Sequence, residues 1–219
     1  MPNPVITTAA DLAGRALSAA TSGIAALRPA DKPLHPEGQT WTGRLVRVGN
    51  DDPVGVAWLD QPGEDEVLVR ASRAIGLPGG LPDFAGLAVR VPDGRSRFGD
   101  VLLASTGWNP VARHLLVPRR RPDRPLTTLL PYRTPSGPIV IGARPVDVRG
   151  YELSWALVGR AWHPLGELTL QRPLPEETDP SFDPVLNPLP GLEQYSWVVH
   201  LREYSYAAAR RLRGEGAPG

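Results

Sequence analysis

Near the end of the chain Arg202, Tyr206 and Arg213 are spaced by four and seven residues, and on an α-helix that spacing puts all three on one face. A phenol becomes a metal ligand only as the phenolate. Its ordinary pKa is near ~10, so ionisation at neutral pH needs a metal and a permanent cation close by. Arg202, one turn before Tyr206, is such a cation. Arg213, two turns beyond, carries a planar fork of donors suited to a carboxylate. On spacing alone a Tyr–Arg pair one turn apart also serves as a surface cation–π or packing contact, and both readings stand at this point. His35, set between Pro33 and Pro36, is the other group with chemistry in reach. An imidazole of pKa near ~6.5 accepts and returns protons at neutral pH, and a histidine between prolines also fixes a turn.

The elements that must position these residues are legible in outline. Ala and Arg content favours a terminal helix from about Gln194 to Arg213. Residues 8–27 carry Leu12, Ala16, Leu17, Ala20, Ile24 and Leu27 near a helical period, with Thr8 and Asp11 as a capping pair. Between the helices the texture is of short β-rich runs separated by Gly, Pro and Asp, at about 41–48, 54–59, 66–71, 86–91, 100–105, 138–143, 151–158 and 165–171. Eight runs predict a closed barrel. Residues 106–137 interrupt them for longer than a hairpin needs, which marks a functional excursion, and a Pro-rich stretch, 173–191, leads to the terminal helix. The expectation is an α+β chain with an N-terminal helical segment, 1–30, and one barrel domain, 31–219.

Composition narrows the classes of function. The 24 basic and 23 acidic side chains leave a formal charge of +1, too little to draw a nucleic-acid backbone. With no cysteine there is no disulfide framework, thiolate nucleophile or sulfur-held metal, so a metal falls to His, Tyr, Met or carboxylates. No run approaches the ~20 apolar residues of a membrane span, and no basic stretch precedes an apolar core at the N-terminus. A soluble cytoplasmic protein without membrane insertion is expected. Helix 8–27 lacks Lys and Arg clusters on its polar face, so it is expected to pack on the barrel or on a second copy, which makes a homo-oligomer one of the expected states.

Several short strings in order give these residues a common context: Asp31-Lys32-Pro33-Leu34-His35-Pro36-Glu37-Gly38; Val69-Arg70-Ala71-Ser72; Pro82 to Arg90; Asp100-Val101-Leu102-Leu103 then Gly107-Trp108-Asn109-Pro110-Val111; Pro164 to Leu170; Ser181-Phe182-Asp183-Pro184; Pro190-Gly191-Leu192-Glu193; and Arg202-Glu203-Tyr204-Ser205-Tyr206 to Arg213. In this order the sequence resembles the haem catalase family over roughly 32–213. The resemblance implies a catalase-like antiparallel eight-stranded β-barrel with flanking helices, holding haem b (iron protoporphyrin). It implies Tyr206 as the iron ligand, with Arg202, Arg213, Arg70 and Lys32 as cofactor contacts. Lys32 stands where the family has arginine. His35 takes the distal position, accepting a proton from peroxide and returning it to the leaving oxygen, and Asn109 is placed to hydrogen-bond the peroxide; as a residue type, Asn109 before Pro110 also reads as a turn opener.

Departures from the family pattern bear on activity. Ala208 and Ala209 follow the ligand where the family has Asp-Thr, and Arg113 falls near an expected distal Phe. A cation there would meet the cofactor or an acidic substrate and change what the pocket admits. The resemblance covers the barrel core and is not expected to extend to the long wrapping segments and C-terminal helical domain of full catalases. The implied function is that of a haem-dependent oxidoreductase acting on hydrogen peroxide or organic hydroperoxides, with peroxidase chemistry on a small organic reductant ahead of dismutation. Rearrangement of fatty-acid hydroperoxides, in the manner of allene oxide synthases, and a non-catalytic haem- or lipid-binding barrel are the alternatives.

Other constellations read as structural. Arg119-Arg120-Arg121 between prolines is expected as a solvated loop. His114, His163 and His200 lack metal-site spacing. The Gly-rich 76–80 has no P-loop Lys-Ser/Thr, and Trp155 and Trp162 are expected on strands as core.

Overall fold

The computed structural model describes residues 37–73, 83–92, 97–119, 124–175, 178 and 180–199, all within a compact unit that runs from Leu34 onward. Predictions for helix 8–27, for Lys32 and His35, for the Gly-rich 76–80 and for everything from His200 onward, Arg202, Tyr206 and Arg213 included, fall outside the described residues.

Ten strands form in chain order: β1 (Glu37–Val48), β2 (Pro62–Arg73), β3 (Ala85–Pro92), β4 (Phe98–Ser105), β5 (Leu126–Thr127), β6 (Tyr132–Thr134), β7 (Gly137–Pro145), β8 (Gly150–Leu157), β9 (His163–Pro173) and β10 (Glu193–Gln194). Pairing is antiparallel throughout and runs β1–β2–β3–β4–β5–β7–β8–β9 and back to β1, which closes an eight-stranded barrel. Closure removes the sheet edges that an open sheet would expose. β6 lies outside the ring, pairing with β7 and with β10.

Period-2 alternation decides which side chains fill the lumen. On β3, Ala85, Leu87, Val89 and Val91 are buried while Gly86, Ala88 and Arg90 between them are half-buried. Matching inward positions are Val67 and Val69 on β2, Val101 and Leu103 on β4, and Leu168 and Leu170 on β9. At the seam, Gly166 of β9 faces the β1 backbone so closely that a Cβ would lie 2.0 Å from the Val46 carbonyl oxygen. Only glycine lets β1 and β9 meet there.

Three sequence expectations are corrected. Residues 54–59 form no strand: the Asp60 carboxylate accepts the backbone N–H groups of Val54, Gly55 and Val56 at 2.8 to 2.9 Å, and Gly55 takes a φ of +81°. The chain turns into a one-turn helix, α1 (Ala57–Asp60), with Val54, Val56 and Leu59 still buried in the core. The eighth barrel strand is instead β5, two residues inside the 106–137 excursion. Gln194 belongs to β10, paired with Tyr132, and helix begins at Ser196, where Val198 and Val199 donate to the Tyr195 carbonyl. Among the described residues no helix is long and apolar enough to cross a membrane.

Candidate functional site

The starts of β1 and β3 and the ends of β2 and β4 lie at one end of the barrel, as their antiparallel registers require. On the outer face near that end, two rows cross the four strands. One is Gly38, Ser72, Gly86 and Ala104; the next is Thr40, Arg70, Ala88 and Leu102. Except for Arg70 and Leu102, each of these side chains is small. Arg70 therefore lies across a nearly flat surface, and its guanidinium covers Gly38 so closely that a Cβ there would sit 2.8 Å from Cζ.

One row further along, Arg90 and Asp100 face each other in register. Their two-pronged ion pair measures 2.7 and 2.8 Å, and the guanidinium stacks 3.9 Å from the Phe98 ring centroid and 4.9 Å from that of Phe182. Asp100 also binds the segment that returns from β9: Oδ2 accepts from Asp183 N and from Asn187 Nδ2, while its own N–H donates to the Asn187 carbonyl. The Ser181-Phe182-Asp183 string is thus fastened to the outer face of β3 and β4 by one fully buried carboxylate. From there the chain passes through β10 to the helical turn at Ser196, so this anchorage sets where the terminal segment starts.

Asn109 and Arg113 lie on the excursion after β4. Asn109 Oδ1 accepts from Val111 N and Ala112 N at 3.1 and 2.7 Å, which closes a turn leading into the one-turn 3₁₀ segment Ala112–His114 and leaves the Nδ2 donor outside that turn. The turn-opening reading of Asn-Pro describes its oxygen. Arg113 is buried, with Nη2 donating to the Arg160 carbonyl at 2.9 Å and the guanidinium 4.2 Å from the Trp162 ring. Its Nη1 is buried with no hydrogen-bond partner among the described residues, and burial pulls its pKa down from the usual arginine range. Trp162 in turn stacks on Trp108 at 4.2 Å, and the Arg144 guanidinium lies 5.4 Å from the Trp108 ring centroid. Gly142 of β7 makes room for this stack, since a Cβ there would reach 2.7 Å from Trp108. Trp162 is accordingly half-buried in a cation–aromatic stack just before β9, a correction to its expected place in a strand core; Trp155 is buried as expected.

The neighbouring His114 places Nδ1 2.8 Å from the Leu129 carbonyl, so that nitrogen carries the proton. Its pKa is lowered mainly by burial, with the Arg113 charge adding to the effect and the Leu129 bond opposing it. The Thr127 hydroxyl donates to the Arg113 carbonyl and accepts from Leu129 N, so β5 holds the excursion against the barrel. Among the described residues no group of three or more His, Cys, Asp or Glu could hold a metal ion, and the expected iron ligand, Tyr206, lies beyond them.

Arg119 is the residue that sequence reading assigned differently. Its backbone pairs with Asp83, and with Tyr151 it lines a cavity at the same end of the barrel. No local string signals this, because the two are brought together only when β8 closes the ring.

No family model matches the chain, and no curated protein does. Solved structures do. A fungal catalase matches with a TM-score of 0.60 and 13% identity, over 87% of this chain and 61% of its own. Catalase A from Saccharomyces cerevisiae matches with a TM-score of 0.60 and 12% identity, over 88% of this chain and 63% of its own. The chain spans about three fifths of the length of these catalases, and what it shares with them is the fold, a closed antiparallel barrel of the catalase type.

Proposed function

We propose that this chain is a haem-binding oxidoreductase of the catalase type that acts on hydrogen peroxide or organic hydroperoxides, with peroxidase turnover of a small organic reductant ahead of dismutation. The observation that carries the reading is the outer barrel face at β1 to β4: two registered rows, small apart from Leu102, with one guanidinium, Arg70, lying over them. A flat patch with a cation on it suits a planar ring that bears carboxylates. The catalase fold and the ordered strings from Lys32 to Arg213 support the same choice.

In this reading Tyr206 would hold the iron as a phenolate kept ionised by Arg202, while Arg70, Arg213 and Lys32 would meet the propionates. Arg113, whose buried Nη1 has no hydrogen-bond partner among the described residues, would be a further cation for the same cofactor. Bound haem would supply the redox chemistry at the peroxide O–O bond. His35 would take a proton from peroxide and return it to the leaving oxygen. The Asn109 Nδ2, which the turn does not use, would donate to the peroxide.

The test is the absorption spectrum of the full chain expressed with ample haem, wild type against Tyr206→Phe, followed by assays with hydrogen peroxide and cumene hydroperoxide in the presence and absence of an organic donor. A Soret band that shifts in Tyr206→Phe, with donor-dependent peroxide loss that His35→Gln abolishes, is the expected result. Absence of haem uptake would overturn the reading. Consumption of a fatty-acid hydroperoxide without any donor would redirect it to rearrangement.

A further inference from the structure

Residues 107–115 form a turn on a narrow neck, where Thr106 and Leu116 make an isolated antiparallel bridge. Inside the turn Gly107 N donates to the Ala112 carbonyl and Arg113 N to that of Asn109. Its fastenings to the barrel are side-chain hydrogen bonds. The Thr127 hydroxyl of β5 donates to the Arg113 carbonyl at 2.6 Å, and His114 Nδ1 donates to the Leu129 carbonyl at 2.8 Å. On the other side Arg113 Nη2 reaches the Arg160 carbonyl, and the Trp162 indole N–H donates to the Trp108 carbonyl at 2.8 Å. Leu129 presents its carbonyl under strain. Among the described residues other than glycine it alone has a positive φ, +60°, a conformation that a bulky side chain disfavours.

The far nitrogen of the same imidazole, His114 Nε2, is buried with no hydrogen-bond partner among the described residues. A proton there would make a buried cation with a donor and no acceptor. Neither 106–119 nor 124–134 contains a carboxylate, and 125–131, the segment that packs on the turn through β5, has no titratable side chain. The charged neighbour that acts on His114 is Arg113, a like charge. Burial lowers the imidazole pKa; the Leu129 bond, which favours the cation, works against that, and Arg113 adds to the lowering, so the closed turn holds His114 neutral. Freeing the turn exposes Nε2 to water and lets Leu129 relax. The open form therefore takes up a proton that the closed form refuses. We infer that His114 is an acid-operated latch: neutral, it ties the turn 107–115 to the Leu129 carbonyl, and protonated at Nε2 it frees that turn from β5. The turn carries Asn109 and Arg113, so its release would withdraw both from the proposed cofactor. That consequence rests on the haem reading, whereas the latch itself requires no cofactor.

Hydrogen exchange of the full chain, followed by NMR from about pH 7.5 to about pH 5.5 and corrected for the intrinsic rate, tests it. The reporters are the Trp162 indole N–H and the Leu115 and Leu129 amides, with the amides of β3 as the reference. At the acid end the reporters should exchange about tenfold or more faster than β3, as a local opening requires. Their protection should fall several-fold, up to about tenfold, over the range, because opening binds one proton. His114→Gln, which does not titrate and can still donate to Leu129, should abolish that fall. If His114→Gln does not fold, the wild type decides: the His114 Cε1 proton should titrate below ~6.5, and the Trp162 indole signal should shift or broaden with the same midpoint. Reporters as protected as β3, an equal fall in His114→Gln, or a His114 midpoint at or above ~6.5 overturns the latch. Failure of the haem reading appears in the Soret band and failure of the latch in the exchange rates, so the two are told apart.

Discussion

Asp100 is fully buried on β4 and holds Arg90 of β3 through both carboxylate oxygens, at 2.7 and 2.8 Å. The same carboxylate anchors Asp183 and Asn187, so the pair joins the barrel wall to the segment that leads through β10 to the helical turn at Ser196. Removing one partner of a buried ion pair leaves the other charge without compensation, which costs about 3–5 kcal/mol. Asp100→Ala should lower Tm by on the order of 10 °C, and hydrogen exchange should show amides of 183–187 losing protection before those of β2. If Asp100→Ala melts with the wild type, the anchorage is not structural.

Arg113 is stacked on Trp162 and bonded to the Arg160 carbonyl. Truncation removes a desolvated cation–π contact and leaves that carbonyl without its donor, so Arg113→Ala should cost about 2–4 kcal/mol. The near-ultraviolet circular dichroism of the Trp108–Trp162 pair should weaken with it. Arg113→Lys should recover little, since an ammonium cannot reproduce the planar stack.

His114 makes stability depend on pH in a definite direction. Its native pKa is depressed by burial, while in the unfolded chain it titrates near ~6.5. The unfolded state therefore takes up the proton first, and stability that is full above ~6.5 declines as pH falls toward the native value, then levels off. Urea midpoints measured from pH 8 down to pH 5 should decline in the wild type and decline less in His114→Gln. Equal declines in both would remove His114 from the explanation.

Gly166 and Gly159 offer a matched contrast. A Cβ at 166 would lie 2.0 Å from a backbone oxygen of β1, whereas at Gly159, with φ of +78°, nothing lies within 4 Å. Gly166→Ala should therefore cost about 3 kcal/mol or more through separation of the β1–β9 seam, and Gly159→Ala only about 1–2 kcal/mol of backbone strain. Chemical denaturation of the two variants gives the comparison.

Local pattern determined most of the barrel, because inward and outward residues alternate strictly along β3 and a one-residue slip there would expose the whole apolar set. It failed at 54–59, where the alternation of Val54 and Val56 was real but Asp60 captured the backbone donors that a strand would use. It missed β5 because two residues carry no period. The small residues flanking Arg70 were visible as individual Gly, Ser and Ala. Their assembly into one flat face depends on register across four strands, which only the paired sheet sets. Arg119 and Tyr151, 32 positions apart, acquire a shared cavity through ring closure, and Arg113 and Trp162 acquire their stack the same way. Side-chain type and local spacing are written in the chain, but groups on different strands become neighbours only once the hydrogen-bonded ring fixes their distances.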